Sequence, residues 1–420
     1  MSGVMQRLVV VGVGRRAPFR EYALAAMARR ADLVLVDSHE PTWPKRYISS
    51  SYLIEEPGLE AMLSVGRQAL RAEQAEPAER AAGIMTYDDR YTVAVAELAE
   101  EARLPGASLA AATACKDKWQ TRNALNSARL GTVPARLVHS AGQALAAARE
   151  IGPPVVMKPR ALAASKGVVK VETLAEAHQG FATAAAATVT DPVFDAPGVL
   201  VEECIEGEEF SIDCVVYDGQ VTPVFVAHKI VGPEPAYEEI GHIVTAEGID
   251  LLPDGTRFLQ QVHEALGYRD GITHAELRVS PSGYRIMEVN PRLGGDMIPY
   301  LGYLATGIDL AGAAADVALG RRPDLGQTCA RAAAVSFICP DHDLMFESIE
   351  IPEQVRDDPR VERIVPLASP GDVLRLPPAG YLSRIAIVIT TGATAAACME
   401  AMDANLAKII IRSSPVGQVD

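Results

Sequence analysis

The sequence contains no C-x-x-C pair. Its six cysteines, Cys115, Cys204, Cys214, Cys329, Cys339 and Cys398, are scattered along 420 residues, which excludes a zinc ribbon and a redox dithiol. The chain is also far from the small cysteine-dense scaffolds that depend on disulfides, so free thiols are expected. Hydrophobic runs are short. None reaches the roughly 18 residues of a membrane-spanning helix. The N-terminus has one Arg before LVVVGVG, too short for the apolar core of a secretory signal and without a cleavage pattern. These absences lead to the expectation of a cytoplasmic protein with no membrane partner. Basic residues are outnumbered, 39 Lys and Arg against 54 Asp and Glu, for a formal charge of −15. Duplex nucleic acid and anionic lipid are therefore poor partners. No internal repeat is visible.

What is present is apolar content, 49%, enough for several cores in a 44.7 kDa chain with room for about three domains. RLVVVGV at residues 7–13 reads as a buried strand. Gly12 and Gly14, an Ala-rich helix over Tyr22–Ala31 and a strand over Leu33–Val36 ending at Asp37 complete a β-α-β unit. The run from Gly12 to Ala17 also fits a loose G-x-G-x-x-A dinucleotide fingerprint with Asp37 downstream, which keeps an NAD-binding module or oxidoreductase open as an alternative. Residues 59–82 are helix-rich, Ile84–Asp88 reads as a strand, and Val93–Arg103 as a helix. Asp88 at that strand's tip is either a substrate-pocket acid or a plain loop acid.

From Thr113 a helix carries Lys116, Lys118 and Arg122 and ends at Gly131. PPVVMKPR then sets Lys158 at the end of an apolar strand, where a buried ammonium needs an anion. Arg160–Val169 is a small-residue loop whose backbone N–H groups, with Ser165, Lys166 and Gly167, suit phosphate oxygens. Thr190–Pro197 is a polar linker. GVLVEECIEGEEFSIDCVVYDG is strand, turn, strand, with Glu202, Glu203 and Glu209 in its acidic centre. Val224–Thr245 holds a strand and a Pro-rich loop, with Lys229, Glu239 and His242.

The central stretch is Thr273–Asp296, THAELRVSPSGYRIMEVNPRLGGD. Two β-rich runs flank Ser280-Pro281-Ser282-Gly283, a hairpin signal. Alternation puts His274, Glu276 and Arg278 on one face, and Ile286 on the same face as Glu288 and Asn290. A carboxylate on each of two neighbouring strands, plus an amide two residues on, is a hard-oxygen cluster suited to Mg²⁺. Arg292 follows a Pro that fixes the backbone, and Gly294 and Gly295 let the chain approach a ligand closely.

The set E-x(11)-E-x-N-P-R-x-G-G, with the lysines upstream, resembles the metal-binding end of the ATP-grasp ligases, and is most similar to the bacterial L-amino-acid ligase (dipeptide synthetase) branch. The resemblance implies an α/β protein with α+β lobes: the ATP-grasp fold, a Rossmann-like N-terminal domain that is scaffold rather than nucleotide site, and a β-rich C-terminal lobe without chemical motifs. Expected boundaries are 1–110, 111–190, 191–325 and 326–420, the last seven residues being frayed. It implies ATP and two Mg²⁺ ions, with Mn²⁺ as a substitute. Lys118 and Lys158 would meet the phosphates, with Ser165, Lys166 and Gly167 covering them. Glu202, Glu203, Cys204 and Ile205 would hold the adenine, and Glu209 the ribose. Glu276, Glu288 and Asn290 would hold the ions. Arg292 would stabilise the transferring phosphoryl group, beside a substrate site of Glu239, His242, Gly294, Gly295 and Asp296. Glu239 or His242 would bind or deprotonate the attacking amine. The implied reaction is ADP-forming C–N ligation of two amino acids, taken as small-molecule substrates, through an acylphosphate to a dipeptide or γ-glutamyl-type amide, by a homodimer. A carboxylase acting through carboxyphosphate is the alternative within the superfamily.

Overall fold

The computed structural model describes residues 5–15, 17–72, 81–163, 165–187, 194, 196–232, 239–281, 283–376 and 379–416. Arg16 of the glycine turn, residues 73–80, most of the polar linker, the Pro-rich loop at 233–238, Ser282 of the hairpin turn and the last four residues lie outside them. The chain divides into two units, one of residues 1–224, 252–294 and 309–325, the other of 225–251, 295–308 and 326–420.

The first unit opens with a parallel sheet in the order Ser50–Leu53, Asp32–Asp37, Arg7–Val11, Ala81–Thr86. Strands Arg7–Val11 and Asp32–Asp37 are largely apolar runs because both faces are covered, with Val9, Val11, Val34 and Val36 fully buried, whereas the edge strand Ser50–Leu53 is mostly exposed. Helices Leu59–Ala72 and Thr92–Ala102 pack into the same core. The strand order reverses beside Arg7–Val11, the place where such sheets bind dinucleotides. Here that place is filled. A Cβ at Gly12 would lie 2.6 Å from the Tyr91 ring, so residue 12 must be glycine and the crevice holds Tyr91 instead. Asp37 is 4% exposed and accepts from the backbone N–H of Val13 (2.8 Å), Gly14 (3.2 Å) and Ser38 (2.7 Å). The glycine turn that resembles a fingerprint is thus closed on itself.

A second, antiparallel sheet runs Ala135–Val138, Val199–Glu203, Val155–Pro159, Val169–Val171. Helices Ala141–Ile151 and Ala177–Ala187 cover it through Ala144, Ala148, Ala177 and Ala184, small residues that allow close approach. The remaining strands of this unit, Glu208–Tyr217, Gly271–Ser280 and Gly283–Asn290, are antiparallel neighbours, the last two forming the expected hairpin.

The second unit is built on antiparallel strands Glu239–Thr245, Ala332–Ile338, Ala386–Gly392 and Val361–Pro366, with helix Ala395–Leu406 packed on them through Cys398 and Met402. Residues 344–350 form a strand paired with Val373–Leu374 and Ile410–Pro415. Leu344 and Phe346 are buried while Met345 and Glu347 face outward, a period-two pattern that the charged flanks obscure. Among the described residues no helix is long and apolar enough to cross a membrane.

Tyr91 packed on Gly12 and the turn closed by Asp37 oppose the close backbone approach that a pyrophosphate needs. Isothermal titration with NAD or NADP should give no heat of binding, and Asp37→Ala, which strands three donors, should lower stability by about 1–3 kcal/mol. Micromolar NAD binding would contradict this account.

Candidate active site

The hairpin is the centre of the site in the first unit. Glu276 and Glu288 are direct cross-strand partners, as are His274 and Asn290. Like charges directly opposite destabilise a sheet unless a cation lies between them. Lys118 brings an ammonium to one of them, with Nζ 2.7 Å from Glu288 Oε2, and donates also to the Leu162 carbonyl at 2.8 Å. Asn290 donates from Nδ2 to Glu288 Oε1 at 2.8 Å. Burial would raise the Glu288 pKa, but Lys118 and Asn290 hold it well below the usual carboxylate range. Burial likewise works against the Lys118 charge, yet Glu288 raises its pKa. Two carboxylates and an amide oxygen around an exchangeable cation fit the donor set of Mg²⁺.

One expectation about this hairpin needs correction. Glu276 pairs with Glu288, but Leu277 pairs with Ile286, so Met287 is an extra residue in the second strand. This bulge reverses the alternation. Ile286 is fully buried on the core side with Leu277, not on the face of Glu288.

Lys118 is placed by its helix. Asp117, 1% exposed, caps helix Lys118–Ser127 by accepting from the Trp119 N–H at 3.0 Å, and also binds the Arg160 guanidinium. Lys118 and Arg122 are four residues apart and share a helix face. Lys118 reaches the hairpin, while Arg122 reaches Glu202 with Nε at 3.2 Å and Nη2 at 3.0 Å. Lys158 Nζ lies 2.5 Å from the other Glu202 oxygen. Glu202 is fully buried, and despite burial Arg122 and Lys158 hold its pKa down. Burial lowers the Lys158 pKa. Glu202 therefore points inward and positions Lys158, and its carboxylate is not an acceptor for an adenine amino group. Nor do the backbone donors of Glu203 and Cys204 face a base: they bond the carbonyls of Pro134 (3.0 Å) and Pro154 (3.2 Å). Of that segment Ile205 is 6% exposed, and its carbonyl accepts from Arg278. Glu209, the expected ribose ligand, receives Nε (3.1 Å) and Nη2 (2.8 Å) of Arg278 from the neighbouring strand.

Ser165 and Gly167 both have positive φ, 54° and 72°, in a turn closed by the Val168 N–H to Ser165 carbonyl bond at 3.1 Å. Ser165 and Lys166 are exposed. Arg292, at 12% side-chain exposure, places Nε 3.3 Å from Asp89, which also binds the Lys116 ammonium. Asp88 instead accepts from the Arg90 backbone (3.1 Å) and side chain, capping the 89–91 turn, so the loop-acid alternative holds for it. Asp89 and Lys116 were not singled out as site residues by sequence. Asp88 and Asp89 are adjacent acids, and only the turn decides which faces Arg292.

Gly294 and Gly295 differ. A Cβ at Gly294 would fall 2.8 Å from His274 Nδ1 and 2.9 Å from Asp213 Oδ1, whereas one at Gly295 meets nothing within 4 Å. Gly294 is required by packing, and only Gly295 leaves open space.

The second unit gathers another cluster. Glu239 and His242 would lie on opposite faces of an ideal strand. Val231 pairs with Glu239 but Ile230 with Gly241, so Ile240 is bulged and the two side chains meet, His242 Nε2 3.2 Å from Glu239 Oε2. Lys229 Nζ is 2.9 Å from the other Glu239 oxygen. Asp296, in the left-handed region at φ 49°, is 3.5 Å from His242 and receives both Nη atoms of Arg384 at 2.6 and 2.8 Å. Arg384 is 6% exposed and stacks 3.5 Å over the Phe337 ring. It comes from the segment expected to carry no chemistry, and no local sequence signal marks it. Burial opposes the His242 charge, but Asp296 and Glu239 raise its pKa to about 9. Burial would raise the Glu239 pKa, but Lys229 and His242 hold it down at about 2. At neutral pH His242 is thus an imidazolium and Glu239 a weak base, so neither is set to remove a proton. Glu239, His242 and Asp296 converge like metal ligands. The Arg384 fork and Lys229 already neutralise the two acids, which argues against a metal there.

The ATP-grasp domain family matches residues 151–300, and L-amino acid ligase C-terminal domain 2 matches residues 336–413. Alanine–anticapsin ligase of Bacillus amyloliquefaciens is 27% identical over 313 residues, 65% of this chain and 65% of that protein. Human carnosine synthase 1 is 29% identical over 265 residues, 58% of this chain and 31% of that protein. The chain spans 63% to 65% of the length of the first curated relatives it matches. Among solved structures, the L-amino acid ligase of Bacillus licheniformis superposes with a TM-score of 0.79 at 21% identity, covering 97% of this chain and 99% of that one, a likeness of fold. The chain thus carries an ATP-grasp domain over residues 151–300 and an L-amino acid ligase C-terminal domain over residues 336–413.

Proposed function

We propose that the chain is an ADP-forming ligase that joins the carboxylate of one amino acid to the amine of another. The observation that carries this reading is the pair of opposed carboxylates, Glu276 and Glu288, balanced by an exchangeable lysine. The relatives, which include alanine–anticapsin ligase and carnosine synthase, point to the same class of product.

In the first unit, Glu276, Glu288 and Asn290 would hold Mg²⁺, with two ions as the full complement. Bound there, the metal offsets phosphate charge and polarises the transferring group. Lys118, freed from Glu288, and Lys158, steadied by Glu202, neutralise the phosphate oxygens. The carboxylate of the first amino acid takes the terminal phosphoryl group of ATP, ADP leaves, and the neutral amine nitrogen of the second attacks the acyl carbon as phosphate departs with the proton that the amine gives up. Arg292 stabilises the negative charge that develops on the phosphoryl and carbonyl oxygens, a contact stronger in the transition state than in the ground state. In the second unit, Glu239 accepts from the amine of a substrate and His242 donates, with Arg384 and Asp296 fixing the imidazolium. Gly295 leaves room for substrate. The enzyme acts on small molecules as a homodimer in the cytoplasm.

A matrix of amino-acid pairs with Mg²⁺-ATP should reveal pairs that release phosphate and ADP with an amide product by mass spectrometry. ADP release that requires bicarbonate and no amino acid would replace this reading with carboxylation. Background release for every pair would remove it.

Arg292→Ala should leave nucleotide affinity within a few-fold while lowering kcat by about 10²–10³. Asp89 keeps Lys116 as partner in that variant, so the fold should survive. An early thermal transition with normal turnover in the folded fraction would make Arg292 structural.

His242 tests the second cluster through pH. Its folded pKa is raised to about 9, so its contribution to stability is complete below its ordinary value near 6.5 and is lost as pH rises toward 9. The melting-temperature gap between wild type and His242→Gln should therefore narrow steadily from pH 6.5 to 9. A gap independent of pH would show that the imidazolium is not held.

A further inference from the structure

We propose that Asp89 is a positioning residue for Arg292, so that the N-terminal parallel sheet takes part in the reaction through one side chain. The inference rests on the reading of Arg292 as the group that stabilises the transferring phosphoryl, and deepens it.

Asp89 stands just past the carboxyl end of strand Ala81–Thr86, the end at which open α/β sheets place ligand-binding residues. Its turn is pinned on both sides. The Asp88 N–H donates to Thr86 Oγ1 at 2.9 Å, and Thr92 Oγ1 donates to the Asp89 carbonyl at 3.1 Å. The backbone at Arg292 is tied down as well, its N–H donating to the Asn290 carbonyl at 2.8 Å. Between these two fixed segments the side chains form a short row of charges. Arg292 Nε donates to Asp89 Oδ1 at 3.3 Å. The Lys116 ammonium takes the other oxygen, Oδ2. Burial would raise the Asp89 pKa, but Arg292 and Lys116 hold it below the usual carboxylate range, so both oxygens accept. With both engaged, the carboxylate plane cannot turn away from Arg292.

The rest of the guanidinium shows what this contact does. Nη1 donates to the Leu293 carbonyl at 2.8 Å, while Nη2 meets no acceptor among the described residues. A planar fork held at Nε and at Nη1 has one orientation, and its Nη2 hydrogens are left for an anion. Donors fixed before the reaction cost no reorganisation when charge develops on a phosphoryl or acyl oxygen. Asp89 also settles a competition. Burial opposes the Arg292 charge, and Asp89, Glu288 and Glu276, in that order, favour it. Without Asp89 the guanidinium has two hairpin carboxylates to turn to, the ones that would hold the metal. Asp89 keeps it off them.

The test is turnover of the full-length protein on the amino acids that the substrate matrix returns, read below every melting transition. Asp89→Ala alone strands the buried Lys116 ammonium, so it is combined with Lys116→Met, which removes one charge of each sign. This charge-balanced double variant, Arg292→Ala and the triple variant are compared with wild type. We expect the double variant to melt within a few degrees of wild type and to keep its KM for ATP within a few-fold, yet to lose about 10²-fold in kcat. In the Arg292→Ala background the same two changes should cost no more than about twofold, since they act through one guanidinium. A carboxylate that only balances Lys116 predicts a double variant with kcat within about twofold of wild type, and that result would overturn the inference while leaving Arg292 standing. Losses that multiply in the triple variant would overturn it too, because Asp89 then acts apart from Arg292. If Arg292→Ala itself turns over normally, or no amino-acid pair gives product, the reading of Arg292 or of the ligase falls first and takes this inference with it.

Discussion

The site depends on one electrostatic constraint: carboxylates opposed or buried in a sheet must be met by cations. Glu276 faces Glu288 across the hairpin, and Glu202 is fully enclosed on another strand. None of the three is tolerable alone, since an unpaired buried charge is far more costly than the pair is stabilising. A single short helix answers two of them. Lys118 and Arg122, one turn apart on Lys118–Ser127, reach Glu288 and Glu202 respectively. Asp117 fixes where that helix starts. The same constraint links the antiparallel sheet of residues 135–203 to the hairpin of residues 271–290 within one unit, and leaves Lys158 beside Glu202 with its ammonium held in place.

The parts legible in sequence were those with a period or a composition. The hairpin was readable because alternation and a Pro-Gly turn mark it. Lys158 was readable because an ammonium at the end of VVM demands a partner. The partner's identity was not, since Glu202 looks the same whether it points toward a nucleotide or inward. The β-α-β start was readable, but the use of Asp37 as an acceptor for Val13, 24 residues away, and the filling of the crevice by Tyr91, far along the chain from Gly12, depend on contacts that no local pattern marks.

Two single-residue bulges account for much of what alternation misplaced. At Met287 the bulge turns Ile286 into the core while Glu288 stays on the polar face. At Ile240 it brings Glu239 and His242, an odd and an even position, to the same side. A bulge is invisible to a period-two reading, because the residues before and after it each keep perfect alternation. Arg384 was hidden for another reason. It is one arginine in a β-rich segment, and only its stacking on Phe337 and its fork on Asp296 give it meaning.

The two clusters differ in how readily their cations leave. Lys118 meets Glu288 and the Leu162 carbonyl through one ammonium without a fixed fork, and in the proposed mechanism a divalent ion takes its place beside Glu288. Arg384 grips Asp296 with two parallel hydrogen bonds from a planar group that is itself stacked, a fixed geometry that charge assistance strengthens. Three convergent ligand atoms on Glu239, His242 and Asp296 therefore do not make a metal centre, although the hairpin, with a similar density of acids, suits one. What distinguishes them is the cation already present. An exchangeable lysine leaves a site for a metal and phosphates, whereas an immobile arginine and a protonated histidine make a rigid polar surface that can recognise a substrate without exchanging its own charges.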